Sequence, residues 1–579
     1  MAKRPTIPFP DFAPDLSDLG TGVSQNVMGV TPRGDGYGPF QSLVDFTQAL
    51  PAACRGYFFA RNPDGSISVF AGTATKLYLL DNTTFAWTDV SKGAGSYSVL
   101  VTTSNWQFAQ FNSTVIAVQI NTVPQSFVLG SSSAFADLGG SPPQAGNIAV
   151  INFFLVLTGL LSNPNRVHWC DLDGITTWTA GVGLADFQDL PDGGNCHGIS
   201  GGDAFGLLFQ DSSIRSLIYA PGSGVVFDIV RVSTAESLFA NYSIINAGEK
   251  TFYCSSQGFK MISPGGVPQP IGKERVDRWF FANVDNSALQ LVIGATDPTA
   301  TRVYWAFKSL AGAAGLFDLI LCFDWSIGEK GKWSVIPCSG QYLANLARPG
   351  LTLHQLDAIA PGALSVTGAA DNGAGLIRLT LSAESNAFFT IVGQNFIVVQ
   401  GVTGTTEANG VWHFNIISPT TIDLTTNEDG VSSAFVNAYV NGGAIGGSLA
   451  ALPFSLDSIA QGATARLSAF SSAAKAGFFD GANIEAVIET DEQDTGGDLI
   501  FITAVRPLTD ATTALISIGS RLNAQAAIAY SAESSLTPQG DCPQLVEARY
   551  ARAKLRIPAA SVWSYARAVQ PESVLAGDT

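Results

Sequence analysis

From residue 51 onward, hydrophobic and polar positions switch in short runs of strand length. "GSISVFAG" and "TKLYLLD" lie side by side, as do "STVIAVQI" and "QSFVLG", "AFGLLFQD" and "IRSLIYA", "KTFYCSS" and "GFKMISP", and "TRVYWAF" and "DLILCFD". Gly, Asn, Asp and Ser separate the members of each pair, so the pattern predicts short strands joined by turns. The longest apolar run, "IAVINFFLVLTGLL" (148–161), is broken by Asn152, Thr158 and Gly159. It is too short to cross a bilayer and predicts a buried strand or hairpin. No long amphipathic helix is visible, and the fold class read from the pattern is all-β.

One phrase recurs: an apolar strand ending in Asp, a polar turn, then Trp. It occurs at "LYLLDNTTFAWTDVS", "VHWCDLDGITTWTAG" and "LILCFDWSIGEKGKWSVIP", with Asp81, Asp171 and Asp324 leading to Trp87, Trp178 and Trp333. With Phe135, Phe227 and Phe280 as further aromatic openers, the spacing stays between 43 and 53 residues. A four-stranded propeller blade needs about 40–50 residues. The period therefore predicts a β-propeller of about six blades, whose radial repetition leaves only short sheet edges. Two consecutive β-sandwiches are the alternative.

The flanks read differently. Residues 1–50, rich in Pro and Gly, predict an extended N-terminal arm that something else must hold. Residues 51–384 form the propeller region. Residues 385–447 read as a compact inserted β-domain, with Asn409-Gly410 as a tight turn. On either side of it, "LTLHQLDAIAPG" and "LPFSLDSIAQG" repeat one pattern, as though a parent region had been split. Residues 448–579 add a C-terminal β-rich region that completes the propeller or forms a platform. Within it, "YARAKLRI" alternates cleanly, with Tyr550, Arg552, Lys554 and Arg556 on one face.

Composition narrows the function. Apolar residues make up 46% of the 579, charged residues 13%, and the net charge is -17. A protein that grips phosphates should be basic, so simple DNA recognition is disfavoured. The seven cysteines are scattered, without a C-x-x-C, and the start "MAKRPTIPFPDFAPDL" shows no apolar signal segment; both features fit folding in a reducing cytosol. His168 and Cys170 share a strand face and Cys196-His197 follows, but buried thiols and ordinary imidazoles explain them better than a metal site, so neither metal nor cofactor is expected. "CDLDGITTW" fails the offsets of a sialidase-type Asp-box, and the chain has no G-x-S-x-G elbow or phosphate-binding P-loop. Arg33-Gly34-Asp35 reads as a turn, and "GKERVDRWFF" (272–281) as a short helical connector with a charged outer face.

Several phrases carry a resemblance. "GVTPRGDGYGPFQSLVDF", "CRGYFFARNPDGSISVFAGTATKLYLLD", "NRVHWCDLDGITTW", "IGKERVDRWFF", "FFDGANIEAVIET" and "GDCPQLVEARYARAKLRIPAASVW" resemble the tail nozzle (tail tubular protein B-like) proteins of short-tailed phages. The inserted unit is similar to the FCCH-type β-module of ubiquitin-activating enzymes, which also occurs in phage structural proteins. The resemblance implies a structural virion protein of the phage tail, assembled in the host cytoplasm. It would form a homohexameric ring below the head-to-tail adaptor, with tail fibres or spikes as neighbours. Phage DNA would pass through the ring during ejection without sequence-specific binding, and the chain would be no enzyme and span no membrane. A receptor- or glycan-binding tail propeller is the alternative, and a polysaccharide depolymerase ranks third. Within the ring reading, the acidic stretch "ETDEQDTGGD" (489–498) reads as a hairpin tip. Its Glu489, Asp491, Glu492 and Asp494 are channel-lining candidates, and Arg552, Lys554 and Arg556 are candidates for pairing with acidic residues of a neighbouring subunit.

Overall fold

The computed structural model describes residues 4–17, 19–82, 85–347, 364–382, 396–427, 431–446 and 465–575. Four-stranded antiparallel sheets follow one another along the chain. Blade 1 runs from Tyr57–Arg61 to Trp87–Asp89, blade 2 from Gln107–Phe111 to Ala136–Asp137 and blade 3 from Ala145–Ile151 to Asp186–Asp189. Blade 4 runs from Cys196–Ser200 to Phe227–Ser233, and blade 5 from Ile245–Ala247 to Gln269–Pro270. Blade 6 starts at Ile293–Asp297 and ends in the first half of the long strand Lys332–Ala347. The fold is a β-propeller.

The run 148–161 shows why these segments are strands. It is a hairpin, Ala145–Ile151 against Phe154–Leu160, turned at Asn152 and Phe153 with φ of 42° and 58°. Two successive positive φ values match the right-handed twist of the flanking strands. Leu155 and Leu157 face one neighbouring blade and Phe154 and Val156 the other, which is why the strand is apolar on both faces.

A seventh blade escapes the sequence count because its strands come from three distant stretches. The strand Lys332–Ala347 pairs with blade 6 as far as Gly340, with a register shift after Pro337; from Gly340 onward it pairs with Ala465–Ser471. That strand pairs with Ala476–Asn483, which in turn pairs with Gln41–Asp45 from the N-terminal arm. The second half of Lys332–Ala347 touches the inner strands of blades 6 and 1, closing the circle. Gly340 sits at the changeover, where a Cβ would lie 2.5 Å from the Phe317 ring and 2.6 Å from the Phe470 carbonyl oxygen.

The aromatic openers mark the outer strands, with two exceptions. Trp87 and Phe227 open the outer strands of blades 1 and 4, Phe135 directly precedes that of blade 2, and Trp333 lies in that of blade 6. Trp178 instead lies in the connector before the outer strand of blade 3, its indole N–H donating to the Ile175 carbonyl at 2.7 Å. Phe280 lies in the helix Asp277–Asn283.

The domain division at 385 is also corrected. Leu364–Asp371 and Ile377–Leu381 belong to a closed six-stranded barrel that continues to Ala444–Gly446. Its core, including Ile377, Leu379, Val399, Ile422 and Ile445, is drawn from its own residues. The barrel interrupts blade 7 between Ala347 and Ala465, which are direct register partners. The two similar phrases at 351–362 and 452–462 lie outside the described residues.

After blade 7 the chain builds a platform of two facing sheets. One orders Cys542–Ala548, Ile500–Thr509, Ala566–Leu575, Gly36–Pro39 and Val30–Arg33; the other contains Ala486–Glu489, Tyr550–Ile557 and Leu515–Arg521. Ile502, Val505, Ile516, Leu555 and Ile557 fill the space between them, continuous with Trp305 and Trp333 of blade 6. The arm is thus held by both units. Asp15 accepts from the backbone N–H groups of Arg278 (2.8 Å) and Trp279 (2.7 Å), capping the helix. Gly29, at φ 72°, passes so close to the strand at Glu485 that a Cβ would lie 1.9 Å from its carbonyl oxygen.

Candidate functional site

The acidic stretch 489–498 does not project as a tip. Ala486–Glu489 and Gln493–Asp494 both pair with the strand Tyr550–Ile557, and Thr490 bridges the gap by donating its N–H to the Ala553 carbonyl at 2.9 Å. The carboxylates therefore lie along the basic strand. Glu489 is 3% exposed; its Oε1 accepts from Asn26 Nδ2 at 3.0 Å, with Arg552 at 3.6 Å and Lys554 at 3.9 Å. Glu492 is fully buried and grips the Arg521 guanidinium with both oxygens, one at 2.7 Å from Nε. Asp491 is half-buried, and the exposed Asp494 accepts from Gly496 N–H at 2.9 Å to shape the turn. Glu489 and Glu492 cannot line a wet channel, which corrects the expectation for these two.

The basic row finds its partners within the chain. Arg552 and Lys554 face Glu489, and Lys554 also sits 5.0 Å over the Tyr530 ring. Arg556 bonds Glu533 at 2.6 Å and Glu485 at 2.9 Å, and these two carboxylates hold its guanidinium above the ordinary arginine range. The alternation of "YARAKLRI" is as read, alternately half-buried and buried. The partners come from Glu485, Glu489 and Glu533, so within one chain the basic row is paired inside the platform.

A different site appears at the propeller hub. The inner strands run in one direction around a cavity of about 520 Å³. At the ends where these strands begin, a polar floor crosses the axis. Asn105 donates its N–H to Tyr242 Oη (2.7 Å) and its Nδ2 to the Gln290 carbonyl (2.8 Å), while Arg55 Nε donates to Asn105 Oδ1 (2.9 Å). Burial raises the Tyr242 phenol, keeping it protonated. The walls carry Phe58 and Phe108, stacked at 5.8 Å and 10°, with Ile148 and Val150. At the opposite ends a wider mouth of about 810 Å³ shares Phe59, Asn246, Thr296 and Asn345 with the cavity.

Side-chain amides at the hub clip neighbouring blades together. Asn345 Oδ1 accepts from Thr296 N–H at 3.0 Å, and Asn246 accepts from Ser200 Oγ at 2.8 Å while donating to the Gly201 carbonyl at 3.0 Å. Gln110 exchanges two bonds with the Arg61 backbone, at 2.9 and 2.7 Å. Tyrosines aside, no ionisable side chain lines the inner cavity. At the mouth, Arg302 pairs with Asp324 at 3.1 Å. The hub can take an uncharged ligand of modest size, and its volume falls in the range of about 300–1,000 Å³ usual for small-molecule sites. These residues lie in seven blades, so no local motif announces them. The signal available in sequence was a polar residue repeated on inner strands, as at Asn147, Asn246 and Asn345.

The histidine and cysteine pairs stay separate. His168 Nε2 lies 2.9 Å from the Trp178 carbonyl oxygen, and burial lowers the pKa of its ring; His197 contacts Asp211. Burial pushes the Cys170 and Cys196 thiols up to about 12. Among the described residues no cluster of three or more His, Cys, Asp or Glu could hold a metal ion.

No family model and no curated protein matches the chain. Among solved structures it is similar to the WD40 domain of Pan2 from Neurospora crassa, at 8% identity and a TM-score of 0.32, covering 53% of this chain and 90% of that one. A functionally unknown protein of Desulfotomaculum acetoxidans matches at 13% identity and a TM-score of 0.30, covering 50% and 90%. A putative 6-phosphogluconolactonase from Bacteroides uniformis matches at 12% identity and 0.30, covering 66% and 98%.

Proposed function

We propose that this chain is a structural subunit of a phage tail nozzle, assembling as a ring of six below the portal adaptor, and that it is not an enzyme. The observation that carries the reading is where the phrases of the resemblance fall. "GVTPRGDGYGPFQSLVDF" supplies two platform strands and the closing strand of blade 7, and "IGKERVDRWFF" supplies the helix capped by the arm. "VEARYARAKLRIP" supplies the central strand of the platform's second sheet. These phrases fall in the joints that fix propeller to platform, where a load-transmitting ring subunit has to be rigid, while "CRGYFFARNPDGSISVFAGTATKLYLLD" and "NRVHWCDLDGITTW" supply strands of blades 1 and 3.

The charge distribution supports the same reading. The chain carries a net -17, and its cations are drawn into internal pairs such as Arg215–Asp192, Lys260–Glu236 and Arg521–Glu492. Each neutralised phosphate adds sequence-independent affinity that would slow DNA in transit. A surplus of surface carboxylate avoids that grip. The hub, floored by Asn105 and Tyr242, is no route for a duplex, so the conduit of this proposal lies between subunits.

Cryo-electron microscopy of intact particles tests the proposal. Six copies around the tail axis next to the adaptor are expected. A few copies decorating the periphery would favour the receptor-binding alternative. Release of reducing ends from host capsule by the purified chain would favour the depolymerase.

A further inference from the structure

We propose that the hub cavity is a binding site for a neutral saccharide, entered through the mouth at Phe59, Asn246, Thr296 and Asn345. The inference goes beyond the nozzle reading and does not depend on it, because the site lies wholly within one chain.

The floor bonds between Asn105, Tyr242, Gln290 and Arg55 close one end, so a ligand would have a single way in and an end wall to rest against. The cavity of about 520 Å³ accommodates one or two sugar rings. Its walls carry no charged side chain, and the Arg55 guanidinium in the floor is taken up by Asn105 Oδ1 and the carbonyls of Val101, Thr102 and Ser104. A phosphorylated or carboxylated ligand would lose its hydration there without compensation. The ligand the walls fit is therefore uncharged.

Two kinds of surface then select among uncharged ligands. On one side Phe58 and Phe108, from the inner strands of blades 1 and 2, present an aromatic wall. On the other side, blades 4 to 7 place hydroxyl and amide groups at the mouth. Asn345 uses its Oδ1 for the clip to Thr296, and its Nδ2 donates to no protein acceptor among the described residues. Thr296 Oγ1 donates to the Arg302 carbonyl at 3.1 Å, and Ser200 Oγ to Asn246, which leaves each hydroxyl oxygen able to accept. An apolar wall facing a row of neutral donors and acceptors matches a pyranose, which has a C–H face and a hydroxyl edge. A purely apolar ligand would leave the rim amide unpaired.

Saturation-transfer NMR on the full chain tests this with four neutral disaccharides, maltose, cellobiose, lactose and N,N′-diacetylchitobiose, against sialyllactose and glucose 1-phosphate. Transfer to at least one neutral disaccharide and none to the charged sugars is expected. Two variants locate the site, each checked for an unchanged melting temperature. Phe108→Leu keeps apolar bulk but removes the ring. Asn345→Asp keeps the acceptor for Thr296 N–H but replaces the free donor with a charge. Each should weaken binding about tenfold, the effect of losing one stacking or hydrogen-bonding contact. Absence of transfer to all four neutral sugars overturns the proposal, as does equal binding of the charged sugars. Binding that survives in both variants places any saccharide site elsewhere and overturns it too. Should one variant fail to fold, the other still decides.

Discussion

Replacing Glu492 by Gln tests whether the acidic stretch is structural. Glu492 is 0% exposed, and its carboxylate meets the Arg521 guanidinium through two parallel hydrogen bonds. Arg521 also donates to the Ala526 carbonyl, while the Glu492 carbonyl accepts Gly20 N–H at 3.2 Å, so the residue ties the arm to the platform. Gln keeps the shape but removes the charge that the half-buried guanidinium grips with two of its nitrogens. Breaking a buried pair by removing one partner costs about 3–5 kcal/mol. With a urea dependence of about 1–3 kcal/mol per molar, the unfolding midpoint should fall by roughly 1 M or more. The double variant Glu492→Gln/Arg521→Met should recover much of the loss, because replacing both charges by neutral groups of similar volume is often nearly neutral. A shift below about 0.5 kcal/mol, typical of a surface substitution, would refute the burial argument and return Glu492 to the list of exposed acids. Non-recovery in the double variant would show that the carboxylate acts through other partners.

The remaining predictions concern the joints of the fold. Asp277 is 7% exposed and accepts from Phe259 N–H at 3.0 Å; burial raises its pKa to about 6. A raised folded-state pKa means the native state holds the extra proton, so stability is greatest below pH 4 for this group and is lost as pH rises through about 6. Asp277→Asn should flatten that slope and raise stability at pH 7 by about 1–3 kcal/mol, read from denaturation at a series of pH values; an unchanged slope refutes the assignment. Joining Ala347 to Ala465 by a tight hairpin turn, with the barrel removed, should leave a soluble propeller, because the two residues already pair directly. Aggregation of that deletion, seen by size-exclusion chromatography, would show that the barrel supports the core. Gly29→Ala should cost more than about 2 kcal/mol, or abolish soluble expression, because its Cβ would overlap the Glu485 carbonyl oxygen; a wild-type melting curve refutes that close approach.

Period-two alternation and turn residues were enough to establish strands, an all-β class and a repeat of propeller-blade length, because both signals act between residues close in the chain. The hairpin at 148–161 and the two faces of "YARAKLRI" were legible for the same reason. The seventh blade was not. Which strand accepts Gln41–Asp45 depends on an open sheet edge at Ala476–Asn483, more than four hundred residues away, and nothing near either segment encodes the match. The start of the barrel was hidden likewise, since Leu364–Asp371 reads as one more strand until its partners, Ile377–Leu381 and Ala444–Gly446, are known. Charge misled for a related reason: sequence shows that Glu489 and Glu492 are acidic but not that Arg552, Lys554 and Arg521 lie opposite them. A carboxylate is exposed or buried according to its counter-ion, and only the tertiary structure brings the two together.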